Sequence, residues 1–387
     1  MEEEAQLASG FNPPEQHRLW RDVLLPRSVI PLYWFYKTAL LPSFLLGKKP
    51  RVIESVAIES GKVGWTHVYY EELEGAAGDF FGPDHVIRQV IDRDISYFPQ
   101  FRAHQRHQNP SLLIIDVRTP TQSWRAALLE TFRMTHLLLR QGITPLVVLT
   151  DAYYRRHRWQ AAVLTAYRGS VVTFSAKEIV QKIFPHDRIA GALFMPISKK
   201  RLNWLKEQKS QRTKTTPIPK ITFIGSMYSP REEFLDLVKT RLANEGIDLE
   251  INGDKAGTSN DRYWAKLLDA DIILTTTLQG PQRSYMDWVW VRQAVFRYSE
   301  TLAAGTALVA GPVDGGYTYF DKFRDFLEYQ SVDDCVDALL QLARDPELLE
   351  AVSSQGHKTV SGYVNTGRFW RDVLTQNSLP PKPMSAE

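Results

Sequence analysis

The 387-residue chain is poor in cysteine, in uninterrupted apolar stretches and in charge of one sign, and each shortage removes a class of protein. A single cysteine, Cys335, excludes an internal disulfide framework and a cysteine-rich zinc site, which fits a reducing compartment and points to the cytoplasm. Lys and Arg number 47 against 44 Asp and Glu, and the net +3 is too small to attract nucleic acid along the whole surface. The N-terminus MEEEAQ is acidic where a secretory signal is basic, so the mature chain is expected to begin at Met1. Pro31, Lys37 and Pro42 interrupt the most apolar segment, and a bilayer needs about 20 unbroken apolar residues, so a spanning helix is rejected.

Catalytic signatures are missing too. No GxGxxG, GxxxxGK[ST], HExxH or GxSxG occurs, which removes the usual dinucleotide, P-loop, zinc-protease and α/β-hydrolase readings. Asp92/Asp94 and Asp269/Asp271 have the form of a metal-binding pair, but both read as solvated or capping carboxylates. His104 and His107 lack a carboxylate at ligand spacing. No metal site is expected.

What is present is abundant core: 43% of residues are hydrophobic, enough for two domains. From Arg51, short β-branched runs alternate with helical patterns, as in parallel sheets built from βαβ units. VIESVAI from Val52, LLIIDVR from Leu112, PLVVLTD from Pro145, VVTFSA from Val171 and ALFMPIS from Ala192 read as strands, and HVIRQVIDRDISYF reads as helix. The expected organisation is an N-terminal extension (1–50), an α/β domain (51–198), a basic linker (199–219), a second α/β domain (220–374) and a tail (375–387). The linker reading rests on eight basic residues against Glu207 alone between Ser198 and Lys220, with Trp204 as the only stacking aromatic, too few for nucleic-acid binding. The 27–48 segment has two readings. It packs on the body of the protein, which the prolines favour, or it touches a membrane peripherally through Trp34, Phe35 and Phe44.

Candidate functional residues concentrate between Ile221 and Ala310. Gly225 and Ser226 follow a strand and precede a helix, where backbone N–H groups suit a phosphate. Arg231 opposes the dipole of that helix, so it either faces a bound anion or points outward as a surface residue. Arg297 and Glu300 share a helical face: they can divide a phosphate and a ribose between them or simply pair. In the first domain Asp116 and Asp151 each follow a strong strand and serve either as general base or as helix cap, with Glu59 a third carboxylate. Arg102, Arg106, Arg155, Arg156 and Arg158 make either a rim for an anionic acceptor or a solvated face.

The pattern R-x-x-E-x-x-A-x-G-T from Arg297, the GS-x-Y-x-x-R from Gly225, and the tail with Ser331, Asp334 and DPEL from Asp345 resemble the nucleotide-binding half of GT-B glycosyltransferases, nearest the spore-maturation-type, group 1-like family. The resemblance spans about 220–374. It implies two Rossmann-like parallel-sheet domains facing a cleft, with an N-terminal extension and C-terminal helices. It also implies transfer of a sugar from a nucleotide-diphosphate sugar to an acceptor held by the first domain; fixed Arg and helix-end N–H groups can stabilise the leaving diphosphate without a metal or other cofactor, and the acceptor is expected to be anionic or lipid-linked. Glu300 then corresponds to the ribose ligand, and the cations near Arg297 and Arg231 to the diphosphate ligands. Many retaining members carry Glu-x7-Glu, whereas the position eight before Glu300 is Arg292, which either aids the departing diphosphate or is structural. The alternatives are a nucleotide-sugar epimerase and an inactive nucleotide-sugar-binding module.

Overall fold

A computed structural model describes residues 29–50, 52–61, 66–91, 97–116, 124–149, 155–173, 180–181, 184, 188–191, 195–212, 218–227, 231–253, 260–276, 294–313 and 319–376. The chain divides into two compact units, one of Asp22–Ala192 with Gly367–Glu387, the other of Leu193–Thr366 with Met1–Arg21.

The first unit is built on a parallel sheet of β1 (Val56–Gly61), β2 (Val86–Ile91), β3 (Leu112–Asp116), β4 (Thr144–Leu149), β5 (Ser170–Thr173) and β6 (Ile189–Gly191), in the order β2-β1-β3-β4-β5-β6. Continuous apolar runs let β3, β4 and β5 be covered on both faces. Helices α1 (Val29–Leu45), α2 (Thr66–Phe81), α3 (Tyr97–Gln108), α4 (Trp124–Gln141) and α5 (Arg155–Leu164) accompany the sheet. α1 forms in spite of its prolines: Pro31 lies in the first turn, where a missing N–H costs little, whereas Pro42 lies inside the helix and forgoes the bond to the Thr38 carbonyl. It packs on α4 and α5, with the Tyr36 ring 5.7 Å from Phe132 and 5.2 Å from Trp159.

Two expectations for this unit need correction. HVIRQVI is strand rather than helix, because Gln89 is buried and finds amide partners in α3: it accepts from Gln105 and donates to Gln108, both at 2.8 Å. The strand expected from Ala192 lies earlier, at Ile189–Gly191, and Met195–Ser198 has no regular structure.

The second unit holds β7 (Ile221–Ile224), β8 (Leu249–Asn252), β9 (Ile272–Thr275), β10 (Ala307–Ala310) and the short β11 (Leu327–Glu328), all parallel, in the order β11-β10-β9-β7-β8. Its helices are α6 (Lys199–Gln211), α7 (Arg231–Asn244), α8 (Asn260–Asp269), α9 (Arg297–Ala303), α10 (Val332–Arg344) and α11 (Pro346–Asn365). Phe223, Phe234, Val238, Leu274, Val309 and Leu339 form the core between sheet and helices.

Most of the basic run is therefore helix rather than linker. Ser198 caps α6 by accepting from the Arg201 N–H at 3.1 Å, and Leu202 and Leu205 are buried. The last helix, α12 (Arg368–Gln376), belongs to the first unit, where Trp370 is buried 5.2 Å from the Phe81 ring.

Candidate functional site

In both sheets the chain order reverses beside the first strand, at β1/β3 and at β7/β9. Ligands of open α/β sheets bind at the carboxyl ends of strands at such reversals. Asp116 falls at the first of these places and Gly225, Ser226 and Arg231 at the second.

In the second unit Gly225 and Ser226 follow β7 directly, with the Gly225 N–H bonded to Asn252 O at 3.2 Å. A Cβ on Gly225 would stand 3.1 Å from the Phe223 ring, so a side chain here would press on that ring. Arg231 does not point outward. It is 8% exposed, and its Nε donates to Thr276 Oγ1 at 2.7 Å while Nη1 donates to Ser226 O at 2.8 Å. Thr276 lies one residue beyond β9, so the guanidinium bridges the ends of the two strands that flank the reversal. The Arg231 charge is thereby fixed at the carboxyl edge of the sheet. The acids suited to the helix dipole are its neighbours Glu232 and Glu233.

Glu300, in α9, is 2% exposed and thus a buried carboxylate that must have partners. One is Tyr263 of α8, whose hydroxyl donates to Glu300 Oε2 and accepts from Arg297 Nη1. Arg297 Nη1 itself lies 3.7 Å from Glu300 Oε2, and its guanidinium sits 4.8 Å from the centre of the Tyr263 ring. The i, i+3 pair is thus completed by a phenol from another helix. Burial pushes the Tyr263 hydroxyl well above its usual range, and the Glu300 charge adds to the rise while Arg297 opposes it. The hydroxyl stays protonated and serves as a fixed donor. α8 and α9 each run back along the sheet from its carboxyl edge into the next strand, so their early residues Tyr263 and Arg297 start from the edge where Arg231 lies.

The structure therefore gathers the candidates into two groups, Gly225, Ser226 and Arg231 with Thr276, and Arg297 and Glu300 with Tyr263. Tyr263 and Thr276 were not picked out by sequence reasoning. Thr276 ends a strand pattern that becomes informative once β7 and β9 are known to be neighbours, whereas no signal distinguished Tyr263. Arg292 lies outside the described residues.

In the first unit Asp116 ends β3 at the reversal; its side chain, like the whole of Asp151, lies outside the described residues. Glu59 is buried on β1, in register with Gln89. Of the proposed basic rim, Arg102 and Arg106 are exposed on α3, but Arg158 is buried, and the side chains of Arg155 and Arg156 fall outside the described residues. His104 Nε2 lies 3.2 Å from Val90 O, a local contact of α3 with β2. Asp269 pairs with Lys220, while Asp271 accepts from the Lys220 N–H at 2.9 Å and pairs with Arg212 at 3.3 Å. Those two carboxylates tie α8 and β9 to the segments before β7, and Asp92 and Asp94 lie outside the described residues.

Two doubly wound parallel sheets are the plan of the GT-B fold. Residues 231–375 match the glycosyl transferase-like family, so this part of the chain is a glycosyltransferase-like domain. No curated protein matches the sequence. Among solved structures, HepE of Anabaena, solved with UDP and glucose, is similar at a TM-score of 0.51 and 9% identity, over 84% of this chain and 97% of HepE. Sucrose-phosphate synthase of Thermosynechococcus elongatus is similar at 0.50 and 12%, over 85% and 98%. Both likenesses are of fold.

Proposed function

We propose that the protein moves a sugar from a nucleotide-diphosphate sugar held on the Leu193–Thr366 unit to an acceptor hydroxyl held on the Asp22–Ala192 unit. The observation that carries the reading is the buried Glu300 carboxylate, fixed by Tyr263 and Arg297, on a domain that matches the glycosyl transferase-like family. A carboxylate accepts both hydroxyls of a ribose. Arg231, Arg297 and the Ser226 N–H, in the turn that Gly225 opens, would hold the diphosphate and stabilise its departure as the sugar gains oxocarbenium character. These cations support a metal-independent reaction. Asp116 and Asp151 are the proposed bases for the acceptor proton. Arg102 and Arg106, exposed on α3, support an anionic or lipid-linked acceptor, and the buried, sole cysteine supports the cytoplasm as the location.

Because the HepE structure contains UDP and glucose, UDP-glucose is the first donor to test. Incubation with it in the presence of EDTA is expected to release UDP, with glucose passing to an acceptor or to water. Binding of UDP-glucose without release would make the chain a nucleotide-sugar-binding module. Conversion of the sugar with the nucleotide still attached would make it an epimerase.

A further inference from the structure

We propose that the outer face of α1 and the cationic turn that follows it dock on a membrane surface carrying anionic phospholipid headgroups. The proposal stands apart from the sugar-transfer reading and fails separately from it.

Three observations support it. The first is that α1 is predominantly apolar, with Lys37 its single charge, although only one side is covered. Tyr33 and Leu40 are buried against the unit, while Trp34, Phe35, Leu41, Phe44, Leu45 and Leu46 are exposed, Phe35 at 66% and Leu45 at 68%. A helix this apolar is normally enclosed, and an exposed apolar face of this kind marks an interaction surface.

The second is charge. From Val23 to Ile53 the sequence has no acidic residue, against Arg27, Lys37, Lys48, Lys49 and Arg51. A protein partner is not specified by such a face. A layer of hydrocarbon beneath a layer of negative charge is its complement, since aromatic and aliphatic side chains enter the acyl boundary while lysines remain among the headgroups.

The third is a guanidinium with donor capacity in hand. The turn after α1 is pinned to the end of α4: Lys48 N–H bonds to Arg140 O at 3.4 Å, and a Cβ on Gly47 would meet Leu139 O at 2.3 Å. Arg168 lies beneath this turn, 7% exposed. Its Nη2 donates to Lys48 O at 2.9 Å, and its Nη1 has no hydrogen-bond partner among the described residues. A buried guanidinium donor is costly to leave unbonded, and a phosphodiester oxygen reaching in beside Lys48 and Lys49 would satisfy it. α1 is too short to span a bilayer, and no described helix is long and apolar enough to do so, so contact would lie in the interface plane.

The test is co-sedimentation of the full chain with vesicles of phosphatidylcholine alone and of phosphatidylcholine mixed with phosphatidylglycerol. Binding to the mixed vesicles is expected, tighter than to neutral ones by about thirtyfold if Lys48 and Lys49 both reach the surface. Lys48→Glu with Lys49→Glu should remove that preference. Phe35→Asp with Leu45→Asp, both at exposed positions and checked by an unchanged melting temperature, should abolish binding to both vesicles. Absence of vesicle binding, or binding indifferent to the Phe35 and Leu45 substitutions, would overturn the proposal. Self-association that is lost in Phe35→Asp, without vesicle binding, would also overturn it by assigning the face to a second copy of the chain.

Discussion

At the scale of single residues, the site depends on charges that are buried rather than displayed. A carboxylate 2% exposed and a guanidinium 8% exposed are each held by named partners, and that fixes where a ligand would meet them. Glu300→Ala should weaken nucleotide binding by about 1–3 kcal/mol, the range for unpairing a hydrogen-bonded group. Unchanged affinity by calorimetry would remove the ribose role. Tyr263→Phe leaves Glu300 Oε2 without its phenol donor, so we expect a lower melting temperature together with a smaller loss of affinity than in Glu300→Ala. Arg231→Lys keeps the charge but cannot fork between Ser226 O and Thr276 Oγ1. It should weaken binding of UDP more than of uridine, and an equal effect on both would assign Arg231 to packing alone.

These residues were unequally legible. Glu300 and Arg231 stand out in sequence because each contradicts its surroundings, an acid among small apolar residues and a cation at a helix start. The outward-pointing reading of Arg231 fails because the acceptors it needs, Ser226 O and Thr276 Oγ1, are brought together by strand order, which no local pattern encodes. Tyr263 is hidden for the same reason, being part of an amphipathic helix whose partner lies 37 residues away.

Single elements show where periodicity suffices and where it does not. β3 and β4 are unmistakable, since Leu112–Ile115 and Pro145–Leu149 are unbroken apolar runs, all buried. β2 misleads because its buried Gln89 breaks the apolar alternation, and only the glutamines of α3 explain that residue. α6 misleads in the opposite way: lysines crowd the exposed side of a helix that needs just Leu202 and Leu205 to dock. Leu205→Ala should therefore cost about 2–5 kcal/mol of stability in the Leu193–Thr366 unit. A linker residue would cost next to nothing, and urea unfolding distinguishes the two.

His357 of α11 ties two further elements together, with Nδ1 3.0 Å from Ala303 O at the end of α9 and Nε2 3.2 Å from Ser361 Oγ. Burial lowers its pKa from 6.5, with the charges of Lys209 and Lys206 acting in the same direction and the hydrogen bonds to Ala303 and Leu302 opposing them. The folded state thus prefers neutral imidazole, and the unfolded chain takes up the proton first. Stability from this group is complete above 6.5 and declines as the pH falls below it. Urea titrations above and below that value should show the decline in the wild type and its reduction in His357→Gln.

At the scale of the whole molecule, the two sheets share a plan but divide the chain unevenly. Parallel βαβ units and the restart of the pattern near Ile221 were readable, because they depend on residue type repeated at short range. The ownership of α12 was not, since its aromatic partner Phe81 lies in a distant stretch of sequence. Trp370→Ala is expected to destabilise the first unit by about 3–5 kcal/mol while leaving nucleotide affinity unchanged, as calorimetric melting with and without UDP would register.

The path of the chain at Gly367 bears on how such proteins can change over evolutionary time. Having left one unit near residue 192, the polypeptide comes back to it for its closing stretch, so the Leu193–Thr366 segment sits in the gene between two pieces of the neighbouring unit. Recombination that grafts a new donor specificity must therefore break the gene at two joints. A single crossover would leave Trp370 facing a surface that did not evolve with it.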